Sequence, residues 1–194
     1  MADQGPVARS PIAGRGGSGS PSAAVVLADE TTLAKVLVRA RADGSLARSL
    51  GVDGGRAARD GHGTLVARFG PDEWLLLAAP GVAPALVERV EGMPDDDLVS
   101  ALDITSGRAV VRLSGPAAAD VLAKVCAVDT ARLPDGGAFR SFVAGVVAEV
   151  IRDDRPEPPG RSYLVACDRS YGQYLFDALA DAAAEFGLRV PPKP

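Results

Sequence analysis

The stretch Ala101–Asp129, ALDITSGRAVVRLSGPAAADVLAKVCAVD, decides how the chain is read. It reads as a strand ending at Asp103, a tight turn supplied by Ser106-Gly107, and a strand over Ala109–Leu113. A helix over Pro116–Val125 follows, entered through Ser114-Gly115-Pro116. Proline suits the first helical turn because its missing N–H would have had no intrahelical partner. Asp103, beside Thr105, is placed to fix the turn as a hairpin through an Asx-type hydrogen bond.

Upstream, Leu33–Arg39 reads as a strand, Ser45–Leu50 as a short helix and Val52–Gly63 as a loop. Strands Thr64–Phe69 and Glu73–Ala79 meet across Gly70-Pro71-Asp72, and Val82, Leu86, Val87 and Val90 recur at helical spacing over Val82–Glu91. An acidic loop, Pro94–Asp97, leads into a strand over Leu98–Asp103. Downstream, a strand over Phe142–Ile151, a Pro- and Asp-rich connection Arg152–Arg161 and a strand over Ser162–Cys167 precede a helix over Tyr171–Phe186. Gly187 is its left-handed cap, and a last strand, Leu188–Val190, ends at Pro191-Pro192. Each half thus reads β-α-β-β-α-β, the split βαβ pattern of ferredoxin-like units. The expected class is α+β, with two such repeats and antiparallel sheets.

Of 194 residues 47% are apolar, enough for one core or two halves sharing one. Net charge is −4, and the 21 basic residues, only Lys35, Lys124 and Lys193 being lysine, are spread along the chain. Phosphate-backbone binding needs a concentrated positive field, so nucleic acid is excluded as an expected partner. The apolar run Ala23–Ala28 is too short for a signal core, and nothing approaches the ~20 residues of a membrane span. A cytoplasmic location without membrane contact is expected. Residues 1–22, centred on Gly16-Gly17-Ser18-Gly19-Ser20-Pro21, lack the apolar content to offset ordering entropy and form an expected disordered tail, leaving 23–194 as the domain.

Candidate chemistry is sparse. His62, the single histidine, sits in Gly61-His62-Gly63 with no neighbour to fix its tautomer. Cys126 and Cys167 form no CxxC and read as small buried hydrophobes. Asp72-Glu73-Trp74 joins carboxylates to an aromatic, as a raised-pKa acid requires. Turn residues followed by a core tryptophan explain the same string. Ser114-Gly115-Pro116 offers a helix N-terminus to an anion, but Pro116 removes one donor and Ser114 is better placed as an N-cap neighbour. Tyr163, Tyr171 and Tyr174 are spaced as core or interface residues, and Asp95–Asp97 as a solvated run. No serine or cysteine nucleophile has a base context. The expected assignment is no catalytic, cofactor-binding or metal-ligating residue.

Three strings carry a resemblance: GPDEW at 70–74, ALDITSGR…LSGP…D at 101–129, and YLVACDRSYGQYLFDAL at 163–179. In this order they resemble aminomethyltransferase-type folate proteins, and within them the gamma subunits of heterotetrameric sarcosine oxidase. Arg9-Ser10-Pro11-Ile12-Ala13 is similar to an R-S-P-L opening of those subunits; in isolation it reads as tail, and within an assembly as a segment that can lie extended on a partner. The resemblance implies one aminomethyltransferase-like domain, about half the length of the folate enzymes and without their C-terminal barrel. It implies a non-catalytic subunit of a complex that oxidatively demethylates sarcosine to glycine, yielding hydrogen peroxide and 5,10-methylenetetrahydrofolate. FAD, FMN and NAD would reside in the alpha and beta subunits, tetrahydrofolate in alpha and zinc in delta. This chain would hold no cofactor and pack mainly on alpha. The competing readings are a free-standing folate-binding one-carbon transfer protein and an adaptor of another flavin-dependent demethylase.

Overall fold

Period-two alternation sends successive strand residues to opposite faces, and here it yields two sheets, each apolar on both faces. The computed structural model describes residues 9–13, 17, 19, 22–93, 99–155 and 160–192. In chain order the elements are β1 (Val25–Asp29), β2 (Ala34–Arg39), α1 (Ser45–Leu50), β3 (Arg56–Arg59), β4 (Leu65–Gly70), β5 (Glu73–Ala78) and α2 (Ala83–Glu91). After them come β6 (Ser100–Asp103), β7 (Arg108–Gly115), α3 (Ala118–Val125), β8 (Ala138–Val143), β9 (Val146–Arg152), β10 (Arg161–Asp168), α4 (Gly172–Ala183) and β11 (Leu188–Arg189). One sheet is ordered β3-β4-β5-β2-β6 and the other β11-β1-β7-β10-β9-β8. All named pairings are antiparallel except β1 with β11.

Three apolar clusters follow from the alternation. Val36, Val38, Trp74 and Leu76 face α1 and α2 through Leu46, Leu86 and Val90. Val111, Leu113, Tyr163 and Val165 face α3 and α4 through Val121, Leu122, Leu175 and Leu179. Between the sheets, Leu65, Ala67, Leu75 and Leu77 meet Val110, Ile151, Leu164 and Ala166. The fold is therefore mixed α+β, with helices on the two outer faces.

Several elements depart from the sequence reading. The loop Val52–Gly63 contains β3, whose RAAR sequence has little strand propensity; it pairs with β4 and makes an isolated bridge from Arg56 to Gly137. The run Ala23–Ala28 becomes β1, with Val25 and Leu27 buried on alternate positions. Phe142–Ile151 is no single strand: Ala144 (φ 50°) and Gly145 (φ 81°) turn β8 back into β9, the two positive φ values of a type I′ hairpin. The turn after Asp103 joins no hairpin, because β6 pairs with β2 in one sheet while β7 pairs with β1 and β10 in the other. That segment is a crossing between sheets. The helix expected from Pro116 starts at Ala118, and Ser114 lies within β7, opposite Val26 and Ser162. Gly115 (φ 116°) permits this path: a Cβ there would stand 2.4 Å from the Ala24 carbonyl oxygen.

Arg9–Ala13, expected to belong to the disordered tail when the chain is alone, packs on its own chain. Ile12 is buried in the α3/α4 cluster, and the Ala13 N–H donates to Gln173 Oε1 at 2.6 Å. The rest of the expected disordered tail lies outside the described residues, apart from Gly17, Gly19 and Ser22. So do the acidic loop 94–97, Leu98 and the centre of the Pro-rich connection.

Trp74 has no exposed surface and fills the space between its sheet and the outer helices. Trp74→Ala is expected to cost about 3–5 kcal/mol, the range for emptying a large aromatic site. Urea unfolding of the purified chain measures it, and a loss below about 1 kcal/mol contradicts the core assignment.

Candidate functional site

Glu73 begins β5 on the same face as Leu75 and Leu77, so its carboxylate enters the space between the sheets while Trp74 turns away. Arg39, its partner across the β2–β5 pair, reaches Oε2 at 2.5 Å, and Arg140 of β8 in the opposite sheet pairs with Oε1. Arg140 also bonds Glu149 of β9 at 2.9 Å, Glu149 pairs with Arg108 of β7, and Arg108 reaches Asp168 at 2.6 Å. The carboxylates of Glu73 and Glu149 are buried, whereas Arg39 and Arg140 extend in from the rim. Long guanidinium side chains suit this, burying their stems with the charged head near water. The sequence placed Glu73 at the start of a strand beside the Asp72 turn; its role as a brace between sheets comes from Arg39 and Arg140.

A second brace lies where β3 and β7 approach. Arg59 donates to both oxygens of Asp153 at 2.9 Å. The buried Arg112 bonds Asp153 and Glu30, both at 2.8 Å, and Ser162 Oγ at 2.6 Å. Arg155 reaches Glu30 at 3.3 Å. Neither brace was legible in sequence, because the pairs that join distant strands lie far apart, 67 residues for Glu73 and Arg140 and 94 for Arg59 and Asp153.

Asp103 and Thr105 mark the crossing. The Thr105 N–H donates to Asp103 Oδ1 at 2.8 Å, the expected Asx bond in an unexpected place. Thr105 Oγ1 accepts the Lys35 N–H at 2.9 Å, and the Lys35 carbonyl accepts the Ile104 N–H. Lys35 is fully buried, its Nζ donating to the carbonyls of Thr31 at 2.6 Å and Leu33 at 2.7 Å. Burial lowers its pKa to about 8, partly opposed by Asp103 and Asp29 and reinforced by Arg169 and Arg108.

The remaining candidates are dispersed. His62 is exposed in the turn between β3 and β4, its N–H donating to Asp60 Oδ1. It borders a cavity of about 340 Å³ lined also by Thr64, Val82, Leu86 and Arg89. Burial works against the Asp60 carboxylate, yet the Thr64 and His62 N–H groups and the Arg89 guanidinium hold its pKa below the usual range. Asp72 stays in its turn, 4.0 Å from Arg39. At Ser114-Gly115-Pro116 the Ala117 N–H is used by the Ala24 carbonyl, so no anion cradle forms. Both cysteines are buried, and burial pushes the Cys167 thiol up to about 11. Tyr163 is core, its hydroxyl donating to the Thr130 carbonyl; Tyr171 and Tyr174 are exposed, the latter donating to the Ala144 carbonyl. Among the described residues no three His, Cys, Asp or Glu side chains converge as metal ligands, and no helix is long and apolar enough to cross a membrane.

A family model described as the sarcosine oxidase gamma subunit family matches residues 45–185. A sarcosine oxidase subunit gamma from Arthrobacter sp. is 37% identical over 121 residues, 57% of this chain and 58% of that one. Another from Corynebacterium sp. (strain U-96) is 43% identical over 75 residues, 39% of this chain and 36% of that one. The matched stretches thus span less than two thirds of these relatives. Among solved structures, a heterotetrameric sarcosine oxidase from Corynebacterium sp. U-96, in complex with pyrrole 2-carboxylate, superposes with TM-score 0.74 at 28% identity. That match covers 92% of this chain and 95% of that one. The glycine cleavage system aminomethyltransferase T from Bartonella henselae shares the fold, with TM-score 0.62 at 18% identity over 88% of this chain and 48% of that one.

The Lys35 environment generates a pH prediction. The unfolded chain holds this proton to about 10.5 and the folded chain releases it near 8, so the unfolded state binds more protons between those values. Lys35 therefore raises stability as pH climbs through that window and forfeits the gain as pH falls through 8. Cys167, its pKa raised from 9.0 to about 11, acts oppositely between those values. Urea titrations at pH 8 and 10 should give a more favourable pH trend for the wild type than for Lys35→Met. Equal trends contradict the assignment.

Proposed function

The chain belongs to the gamma subunit family of sarcosine oxidase, and from that premise we propose that it is a structural subunit of a heterotetrameric sarcosine oxidase. The assembly would demethylate sarcosine oxidatively to glycine, with hydrogen peroxide and 5,10-methylenetetrahydrofolate as further products. The observation that carries this is the family match over residues 45–185, supported by likeness to a heterotetrameric oxidase across 95% of the matched chain. Its partners would be the alpha, beta and delta subunits, chiefly alpha, in the cytoplasm.

The charged side chains support a non-catalytic role. Glu73 and Glu149 are each held between arginines, and Asp103 is spent on a turn. The residues present do not fit a dinucleotide, whose pyrophosphate needs free N–H groups on a glycine-rich strand-to-helix turn. The β7–α3 turn has Pro116 and an Ala117 N–H already bonded. FAD, FMN, NAD, tetrahydrofolate and zinc are accordingly proposed to reside in the partner subunits. We read the domain as residues 23–194 and each sheet as a ferredoxin-like repeat. The order β6-β2-β5-β4 supports this for the first; in the second, β1 is inserted between β11 and β7.

Co-expression with the genes for the other subunits is expected to yield a complex containing this chain. The chain purified alone should be colourless, without oxidase activity and without stoichiometric tetrahydrofolate binding. Failure to co-purify, or flavin absorbance persisting in the isolated chain after gel filtration, overturns the reading; tight folate binding favours the free-standing folate protein. Assembled complexes carrying Glu73→Gln should turn over normally per flavin, and a loss of about tenfold, some 1.4 kcal/mol of barrier, assigns Glu73 to the chemistry.

A further inference from the structure

At the second brace three guanidiniums, Arg59, Arg112 and Arg155, share two carboxylates, Glu30 and Asp153. All three arginines line a cavity of about 90 Å³, and among the described residues no acidic side chain does. Glu30 and Asp153 pair with these guanidiniums without lining the cavity, so the charged side chains that border it among the described residues are all cationic. Its other walls are largely apolar, among them Leu33, Leu65, Leu77 and Leu164. Low-polarity walls strengthen the attraction of a guanidinium for an anion. Water occupies ~30 Å³ per molecule in the liquid, so the cavity matches one carboxylate or phosphate head group.

The arginines are unequally engaged. Arg112 is saturated by Glu30, Asp153 and Ser162 within 2.6–3.1 Å, and Arg59 holds Asp153 through two bonds of 2.9 Å. Among the described residues Arg155 makes only long ionic contacts, 3.3 and 3.4 Å to Glu30 and 4.0 Å to Asp153, and its side chain is 43% exposed. Burial, then repulsion from Arg112, lowers its pKa, and the carboxylates do not fully offset this. A planar guanidinium fork so loosely held is suited to a second, bidentate acceptor.

We propose that this cavity binds a small oxyanion, a carboxylate or phosphate group, with Arg155 as the clamp and Arg59 and Arg112 as the fixed positive wall. The site is independent of the oxidase reading, because it needs no partner subunit. The test is thermal unfolding of the full chain with sodium acetate or sodium phosphate, each against sodium chloride at equal ionic strength. Saturable stabilisation by acetate, phosphate or both is expected, and the effective salt identifies the group. Arg155→Gln should unfold at the wild-type temperature in chloride yet need about tenfold more anion for the same shift, as loss of a charge-assisted hydrogen bond implies. Arg155→Lys should recover part of it. No saturable shift with either salt, or the same response in Arg155→Gln, overturns the proposal.

Discussion

The chain passes between its two sheets at β1–β2 and at β6–β7, and the architecture depends on how these passages are tied together. Lys35 joins them: its backbone exchanges bonds with Ile104 and Thr105 of the second, and its ammonium caps the Thr31 and Leu33 carbonyls of the first. Thr31 adds a reciprocal pair with Val110 at the start of β7. A buried ammonium is costly unless hydrogen-bonded, and here the carbonyls it satisfies belong to a turn with no sheet partner of its own. The charge and the turn stabilise one another.

Away from the passages, apposition rests on a small apolar layer and the two ionic braces. Four of the ten core residues between the sheets are alanines, Ala57, Ala67, Ala138 and Ala166, a thin contribution to burial. Buried ion pairs rarely add much net stability, but losing one partner strands the other charge in a poor solvent. The braces therefore act chiefly on registry. Sliding one sheet would part Glu73 from Arg140 and Asp153 from Arg59 together, so the face-to-face arrangement is specific despite its modest apolar area.

Much of this fold was legible where the pattern was local. Helix α1 and the β4–β5 hairpin were legible because periodicity and turn chemistry act over a few residues, and the helical stripe of α2 placed it within one residue. Strand β3 was not, since RAAR becomes a strand through its distant partners, β4 and the Gly136–Gly137 segment. The β8–β9 turn hid behind a non-glycine residue at positive φ, Ala144. The passage at Asp103–Arg108 was misread as a hairpin for a deeper reason. Strand, turn and strand look the same whether the second strand pairs with the first or leaves for another sheet, and only the distant partners β2, β1 and β10 distinguish them.

The site residues follow the same logic. Asp103 makes the local bond its type predicted, while Glu73, equally acidic, acts through arginines 34 and 67 residues away. Alternation alone does set Glu73 on the face of Leu75 and Leu77, opposite Trp74, so the sequence held its direction but not its partners. Arg155 is the sharper case. It lies in a Pro- and Asp-rich connection, and only the fold brings it to a cavity also bordered by Arg59 and Arg112. Three guanidiniums thus meet at one cavity in a chain of net charge −4, from residues that composition described as spread along the chain.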